Sequence, residues 1–394
     1  MRRWTEGNAT VAVLLACATV AVSEPLTGQQ VIELTGEDRI LDTGFEELYR
    51  VGSLHGGEWD TFGSVAAVAF DGTGNLYILD YQASMITVVD LTGSLVRHIG
   101  REGEGPGEFT AGGVWAFAVL ADGRAVVFDA NQRVYKVFDS DGSFDRMIRL
   151  SGDAMFYSIP ALQAERDADA VLATGLVETL SMPGSASSTE AAFRPIERYV
   201  LNGEEVVPDT VAEAWKAQGD PSGFAPPLAA GVLPGGGVAF TDSSAYTIKV
   251  TTSSGDGVRV LRRPFRPEPV TERVRAAEIE RRLEEVGAET EGAWAETQRA
   301  RIGSMEFFNE VPVVRGLRTS WEGTIWIQRR GDEPASIGPI DVITPDGAYL
   351  GTFATGATAM PSAFGPDGLI AFVERDELDV PTVVVRRLPG EVKE

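Results

Sequence analysis

Residues Val65–Ile99 read VAAVAFDGTGNLYILDYQASMITVVDLTGSLVRHI, and residues Val114–Ile148 read VWAFAVLADGRAVVFDANQRVYKVFDSDGSFDRMI. The two stretches superimpose without a gap at an offset of 49 residues. Gly74 matches Gly123, Asp80 matches Asp129, Asp90 matches Asp139, Gly93 matches Gly142 and Arg97 matches Arg146. A period of roughly 40–50 residues marks supersecondary units that cannot bury their apolar faces alone and must stack or ring together.

The interior of one unit is legible. Val65–Phe70 is short, small and apolar, and Asp71–Asn75 is a turn. Leu76–Leu79 is β-prone, Asp80–Ser84 is a loop and Met85–Val89 is a third strand. Asp90–Gly93 turns tightly into Leu95–Ile99. Closely spaced turns between such strands predict an antiparallel meander. Gly93 and Gly142 stand where a hairpin closes with a residue at positive φ. Asp90 and Asp139 are expected to hold the turn backbone through their carboxylates rather than to act as paired catalytic acids.

Further copies follow. Gly236–Asp242 with Ile248–Val250 and Gly255 repeats the first unit at an offset of 162. Glu322–Ile327 with Asp341–Gly347 forms another, and Asp367–Val373 with Val383–Leu388 the last. The faintest is Asp169–Ala173 with Arg198–Gly203, interrupted by the polar stretch Ser181–Thr189. Six four-stranded antiparallel units predict an all-β, six-bladed β-propeller over residues 31–390. Glu47–Val51 is left over before the first complete unit, and is expected to join the last blade and close the ring, which removes an exposed sheet edge.

Thr271–Ile302 breaks the pattern. It is rich in Glu, Arg and Ala, follows Pro267 and Pro269, and spaces Val270, Val274, Ile279, Leu283 and Val286 near a helical period. Thr271 is a suitable N-cap, and Gly287 and Gly292 divide the segment into two helices. The expectation is a helical insertion within 267–310 that covers one mouth of the ring.

The chain has 394 residues, 58 Asp and Glu against 34 Lys and Arg, and a formal net charge of −24. Such a surface repels a phosphate backbone and anionic lipid headgroups, so neither nucleic acid nor a membrane surface is an expected partner. Arg2 and Arg3 precede an apolar run from Ala9 to Val22 that is too short for a spanning helix, and Ala21-Val22-Ser23 has the small-x-small form of a cleavage site. Residues 1–23 therefore read as an export signal, and a periplasmic or extracellular location follows. The single cysteine, Cys17, follows Leu14-Leu15-Ala16 as in a lipobox, the one route to a lipid anchor. Cleavage after Ser23 would leave a mature chain without thiols or disulfides.

Ile99-Gly-Arg-Glu-Gly-Glu-Gly-Pro-Gly-Glu-Phe109, followed by Val114–Val119, Asp122-Gly123, Val126–Asp129, Asn131, Arg133 and Val137–Gly142, is similar to an NHL repeat. The chain resembles bacterial exported six-bladed β-propeller proteins of the NHL-repeat and TolB-like group. That resemblance implies a fold and a ligand-bearing mouth. It does not imply one activity, since such rings host binding proteins, lyases and lactonases alike.

If the first strand of each unit lines the channel, the unit-to-unit connections and the loops between second and third strands share one face. That face carries Tyr81, Arg101, Glu102, Glu104, Glu108, Asn131 and Arg133, and Trp115 begins an inner strand beside them. These eight residues are the candidate ligand-binding set. Within Arg101–Phe109 the glycines and Pro106 are expected to turn the chain between units and Phe109 to plug the core between them. His55 and His98 fall in or beside outer strands, away from any mouth, and no nucleophile elbow, zinc-protease motif or phosphate loop is present. The reading is a non-catalytic binding propeller without cofactor, taking a protein or small molecule at its mouth. The alternative is a Ca²⁺-type metal-dependent hydrolase, lactonase or lyase with a central site, for which Asn131 with acidic partners would be the place to look.

Overall fold

The alternating apolar runs of 65–99 and 114–148 become two four-stranded antiparallel sheets in the computed structural model. It describes residues 29–53, 56–150, 161–174, 193–201, 203, 205–206, 208–219, 221–255, 257–287, 290–376 and 378–392. Residues 1–23, read above as an export signal, Cys17, His55 and the Ser181–Thr189 stretch lie outside the described residues.

Blade 1 is Val65–Phe70, Leu76–Asp80, Met85–Val89 and Leu95–Ile99, and blade 2 is Val114–Val119, Ala125–Asp129, Val134–Phe138 and Phe144–Leu150. Blade 3 is Ala161–Ala164, Ala170–Thr174, Phe193–Val200 and Pro208–Trp215. Blade 4 is Ala229–Val232, Val238–Thr241, Thr247–Thr251 and Val258–Arg262. Blade 5 is Val314–Thr319, Ile325–Arg330, Ile337–Ile343 and Tyr349–Phe353. Blade 6 takes Ala363–Phe364, Leu369–Arg375 and Pro381–Arg387 from the end of the chain and Glu46–Val51 from its beginning. The protein is thus a six-bladed β-propeller, closed by the leftover N-terminal strand, which pairs antiparallel with Pro381–Arg387.

Each blade buries both faces, so the apolar cores lie between neighbours. Tyr77, Leu79, Phe109, Phe117 and Val127 pack between blades 1 and 2, and Phe70, Leu76, Leu369 and Val383 between blades 6 and 1. Phe109 is fully buried there, edge-on to Phe138 at 5.6 Å, so the 101–109 connection does plug an inter-blade core.

The turn chemistry holds in outline. Gly93 and Gly142 have φ of 77° and 87°. Asp90 Oδ1 accepts from Thr92 N at 2.8 Å and Ser94 N at 3.0 Å. In blade 2 the side-chain role moves to Asp141, whose Oδ1 accepts from Ser143 N at 2.8 Å, while Asp139 closes the turn with its backbone. The aspartate that ends each of several second strands has a different task. Asp80 accepts from Gly63 N at 2.8 Å and Ser64 N at 3.0 Å, and Asp242 accepts from Trp215 N at 2.7 Å. Each ties its blade to the incoming connection.

One feature of the N-terminal region has no precursor in the repeat. Gln29–Glu33 adds as a fifth, parallel strand outside Val258–Arg262 of blade 4, and Ile40 bridges to Thr352 of blade 5 before residues 46–51 enter blade 6. Arg263 fastens this arm. Its guanidinium donates to Thr35 O at 2.8 Å, Glu37 O at 2.9 Å, Asp38 Oδ1 at 2.9 Å and Asp341 Oδ2 at 2.8 Å.

The insertion forms α1 (Glu272–Val286) and α2 (Ala293–Gly303), and the α1 N-cap is Thr271, whose Oγ1 accepts from Val274 N at 3.4 Å. A two-stranded clasp of Glu268–Pro269 with Glu310–Val311 closes its base. The helices join blades 4 and 5 and rest on the connection between blades 3 and 4. Arg282 donates to Ser222 O, and Phe307 packs on Phe224. No helix among the described residues is long and apolar enough to cross a membrane.

Candidate functional site

The first strands of all six blades line an axial channel of about 640 Å³. Its wall mixes small residues, with Ala67 and Ala69 from blade 1, Ala116 and Ala118 from blade 2, and Ala161 and Ala363 from blades 3 and 6, with polar side chains that come mostly from blades 3 and 5. Small residues are needed there because six inner strands converge, and each methyl removed from the axis leaves open volume.

At the end where blades connect, Trp115 stands in the channel wall, 58% exposed. Its indole lies over Tyr81 with ring centroids 4.1 Å apart, and its Nε1 donates to Gly112 O at 3.0 Å. The ring is therefore held in place while one side remains open to the channel. At the opposite end, Arg166 reaches from the first turn of blade 3 to that of blade 5 and donates to the carbonyls of Ser320 and Trp321. Its guanidinium carbon sits 5.0 Å from the Trp321 ring centroid. Burial pulls the Arg166 pKa down to about 10, against the opposing pull of Glu322 and Asp167.

The polar side chains of the wall are mostly engaged. Gln163 donates to Ala230 O at 2.9 Å and accepts from Val232 N at 3.1 Å. Glu165 is paired with Arg198 at 2.5 Å, and Thr319 donates to Val232 O at 2.6 Å. Arg318, in the first strand of blade 5, donates from Nη1 to Ser362 O at 2.8 Å and has no carboxylate partner among the described residues. Its side chain is solvent-accessible along the channel yet flanked by protein, and that desolvation lowers its pKa from the ordinary arginine value.

The eight residues proposed from sequence divide into two groups. Tyr81 and Trp115 meet at the channel mouth. Of the others, Glu102, Glu104 and Asn131 line a separate cleft of about 460 Å³ together with Thr110 and Gln132, while Arg101, Glu108 and Arg133 line neither it nor the channel. Arg101 and Glu108 pair at 2.7 Å, and Glu108 Oε2 accepts from Gly105 N at 2.9 Å. The Gly105 amide, then Arg101, hold the Glu108 carboxyl below the usual glutamate range. Asn131 donates to Ala111 O at 3.2 Å, and Arg133 takes a left-handed backbone with φ 58°. This group holds its own loop together. His98 is exposed on the outer strand of blade 1, 3.3 Å from Thr87 Oγ1, far from the axis. Arg166 and Arg318 were not singled out from the repeat. Aligning Val314–Thr319 with Val65–Phe70 sets Arg318 on Ala69, and a charge at an alanine position was the available signal.

No protein-family model matches the sequence, and no curated protein matches it. Similar solved structures share the fold. A candidate exported protein from Bacteroides fragilis superimposes with a TM-score of 0.53 at 13% identity, over 92% of this chain and 100% of that one. A DUF4221 member from Bacteroides vulgatus gives a TM-score of 0.54 at 11% identity, over 87% of this chain and 97% of that one. Weaker likeness extends to virginiamycin B lyase from Staphylococcus aureus, with a TM-score of 0.43, 11% identity, and 86% and 99% of the two chains covered.

Proposed function

We propose that this chain is an exported, non-catalytic binding propeller related to the NHL and TolB-like group, and that it takes a small molecule into the axial channel from the Trp115 end. The observation that carries this reading is the half-exposed indole of Trp115, held over Tyr81 at the entrance to the axial channel. An aromatic face open to a cavity, with its ring fixed by neighbours, offers a flat apolar surface on which a ligand can stack. The titratable side chains that reach the channel support binding rather than turnover, since Glu165 is held in an ion pair and Arg166 is spent on two carbonyls. Among the described residues, no group of three or more His, Cys, Asp or Glu is placed to hold a metal ion. The net charge of −24 argues against nucleic acid as the partner. Export rests on the residues 1–23 signal, with Cys17 lipidation as the variant that would add a membrane tether.

The test is a fragment screen by saturation-transfer NMR on the mature protein, with Trp115→Ala and Tyr81→Ala alongside. Binders whose signal falls at least ten-fold in Trp115→Ala support the reading. Binders indifferent to both substitutions overturn it, as does chemical conversion of a binder that a mouth substitution abolishes. The mass of the exported protein reads whether the chain begins at Glu24.

A further inference from the structure

We infer that Arg318 is the anchor for the carboxylate of a small monoanionic ligand whose apolar body extends along the channel toward Trp115. This rests on the channel being the binding site.

The argument begins with register. Pairing between first and second strands places one residue of each blade at the same level of the channel: Ala69, Ala118, Gln163, Gly231, Arg318 and Ala363, opposite Tyr77, Val126, Leu172, Ala239, Trp326 and Ala371. Four of the six are alanine or glycine, and Gln163 is turned onto the blade 4 backbone through its bonds to Ala230 O and Val232 N. Arg318 is therefore the one side chain at this level with length and charge to spare. The small residues around the ring leave the space into which it extends.

Its bonding is incomplete. Only Nη1 has a protein acceptor, Ser362 O, and the rest of the fork faces the channel without a partner among the described residues. Arginine offers a planar set of donors that matches a carboxylate edge-on, and such pairs are frequently bidentate. The other arginine of the channel, Arg166, has both Nη atoms on carbonyls, so Arg318 is the one whose fork keeps donors for a ligand. One charge matches one carboxylate. A phosphate monoester carries nearly two, and the −24 field of the protein opposes the second.

Geometry sets the rest of the ligand. Blades 2 and 5 face each other across a six-bladed ring, so Trp115 and Arg318 stand on opposite walls. Trp115 is the second residue of its strand, and Arg318 is the next-to-last residue of its own. A ligand joining them runs diagonally down the channel, with its acid at depth and its apolar or aromatic end under the indole.

The experiment uses matched fragment pairs, arylalkanoic acids with the corresponding primary amides and amines, screened by saturation-transfer NMR against wild type, Arg318→Gln and Trp115→Ala. The expected result is that acids bind at least ten-fold more tightly than their amides to wild type, and that Arg318→Gln removes the preference. Arg318→Gln should keep the wild-type melting temperature within a few degrees and keep its amide binders, which shows that the channel is intact. Equal binding of acids and amides by wild type overturns the anchor, as does an acid preference that survives in Arg318→Gln. Neutral or cationic fragments lost in Trp115→Ala, with no acid bound, leave the channel as a binding site and reject the carboxylate. An absence of binders in every class rejects both.

Discussion

Lys136 and Asp129 face each other 2.8 Å apart inside blade 2, and neither side chain has any solvent exposure. Asp129 also accepts from Thr110 Oγ1 at 2.6 Å and Thr110 N at 3.1 Å, and Lys136 reaches the carbonyl of Glu108. The pair thus fastens the 101–113 connection to the blade it enters.

Burial alone would raise the Asp129 pKa, but the bonds from Lys136 and Thr110 outweigh it and hold the carboxyl below the ordinary aspartate value. A group depressed on folding contributes stability that is fully present above its unfolded pKa, near 3.9, and is lost as the pH falls through the folded value. Lys136→Met leaves the carboxylate buried without its cation and should cost about 3–5 kcal/mol at pH 7. Urea melts from pH 7 to pH 2.5 should show the gap between wild type and Lys136→Met narrowing below about pH 4. A gap that stays constant across that range would mean that the pair is not ionised in the folded protein.

Gly142 has φ of 87°, and a Cβ there would lie 3.0 Å from Arg97 Cδ and 3.3 Å from Ile99 Cγ1. Gly142→Val should destabilise by on the order of 1–2 kcal/mol or more, because a β-branched side chain resists the left-handed region and the neighbouring strand must give way. Gly356, with φ of 76° and nothing within 4 Å of its Cβ position, separates the two causes. Gly356→Val isolates the backbone penalty, and the excess at Gly142 measures the crowding. Equal losses at both sites, read by thermal melting, would remove the packing contribution.

The fold was legible because the repeat encodes it locally. The turn glycines, the apolar runs, Thr271 before α1 and Gly287 after it all act within a few residues, and the leftover strand followed from counting. The arm from Gln29 to Ile40 was not legible. Gln29–Glu33 is short, and its Val31 is 45% exposed, so it carries little of the apolar signal that marks a blade strand. What holds it is Arg263, whose partners in the arm lie more than two hundred positions away. The candidate site was read only at its rim. Tyr81 and Trp115 lie in the two clearest repeats, whereas Arg166 and Arg318 lie in blades 3 and 5, where longer loops blur the alignment. The shift from Asp139 to Asp141 has the same origin, since two aspartates beside one turn are interchangeable to a pattern but not to its backbone geometry.

The two N-terminal segments differ in what they complete. Residues 46–51 supply a full strand of blade 6, with Val51 3% exposed in the core shared with blade 1. Residues 29–33 add outside a blade that already has four strands. Deleting 46–51 should abolish cooperative folding, and deleting 29–33 should lower the melting temperature while leaving a single transition. Circular dichroism melts distinguish the two, and a folded ring without 46–51 would contradict the closure. Removing part of Pro183–Thr189 should cost far less than removing 46–51.

Thr382 Oγ1 bonds Gly52 O across 330 residues of chain, beside the strand that completes the ring. A strand from near the start of the chain must therefore wait for almost the last one before it can pair. Closing so wide a loop is entropically expensive and slow. Until then blade 6 has no outer edge and blade 1 lacks one neighbour. No sealed ring can form while the tail of the chain is still being made.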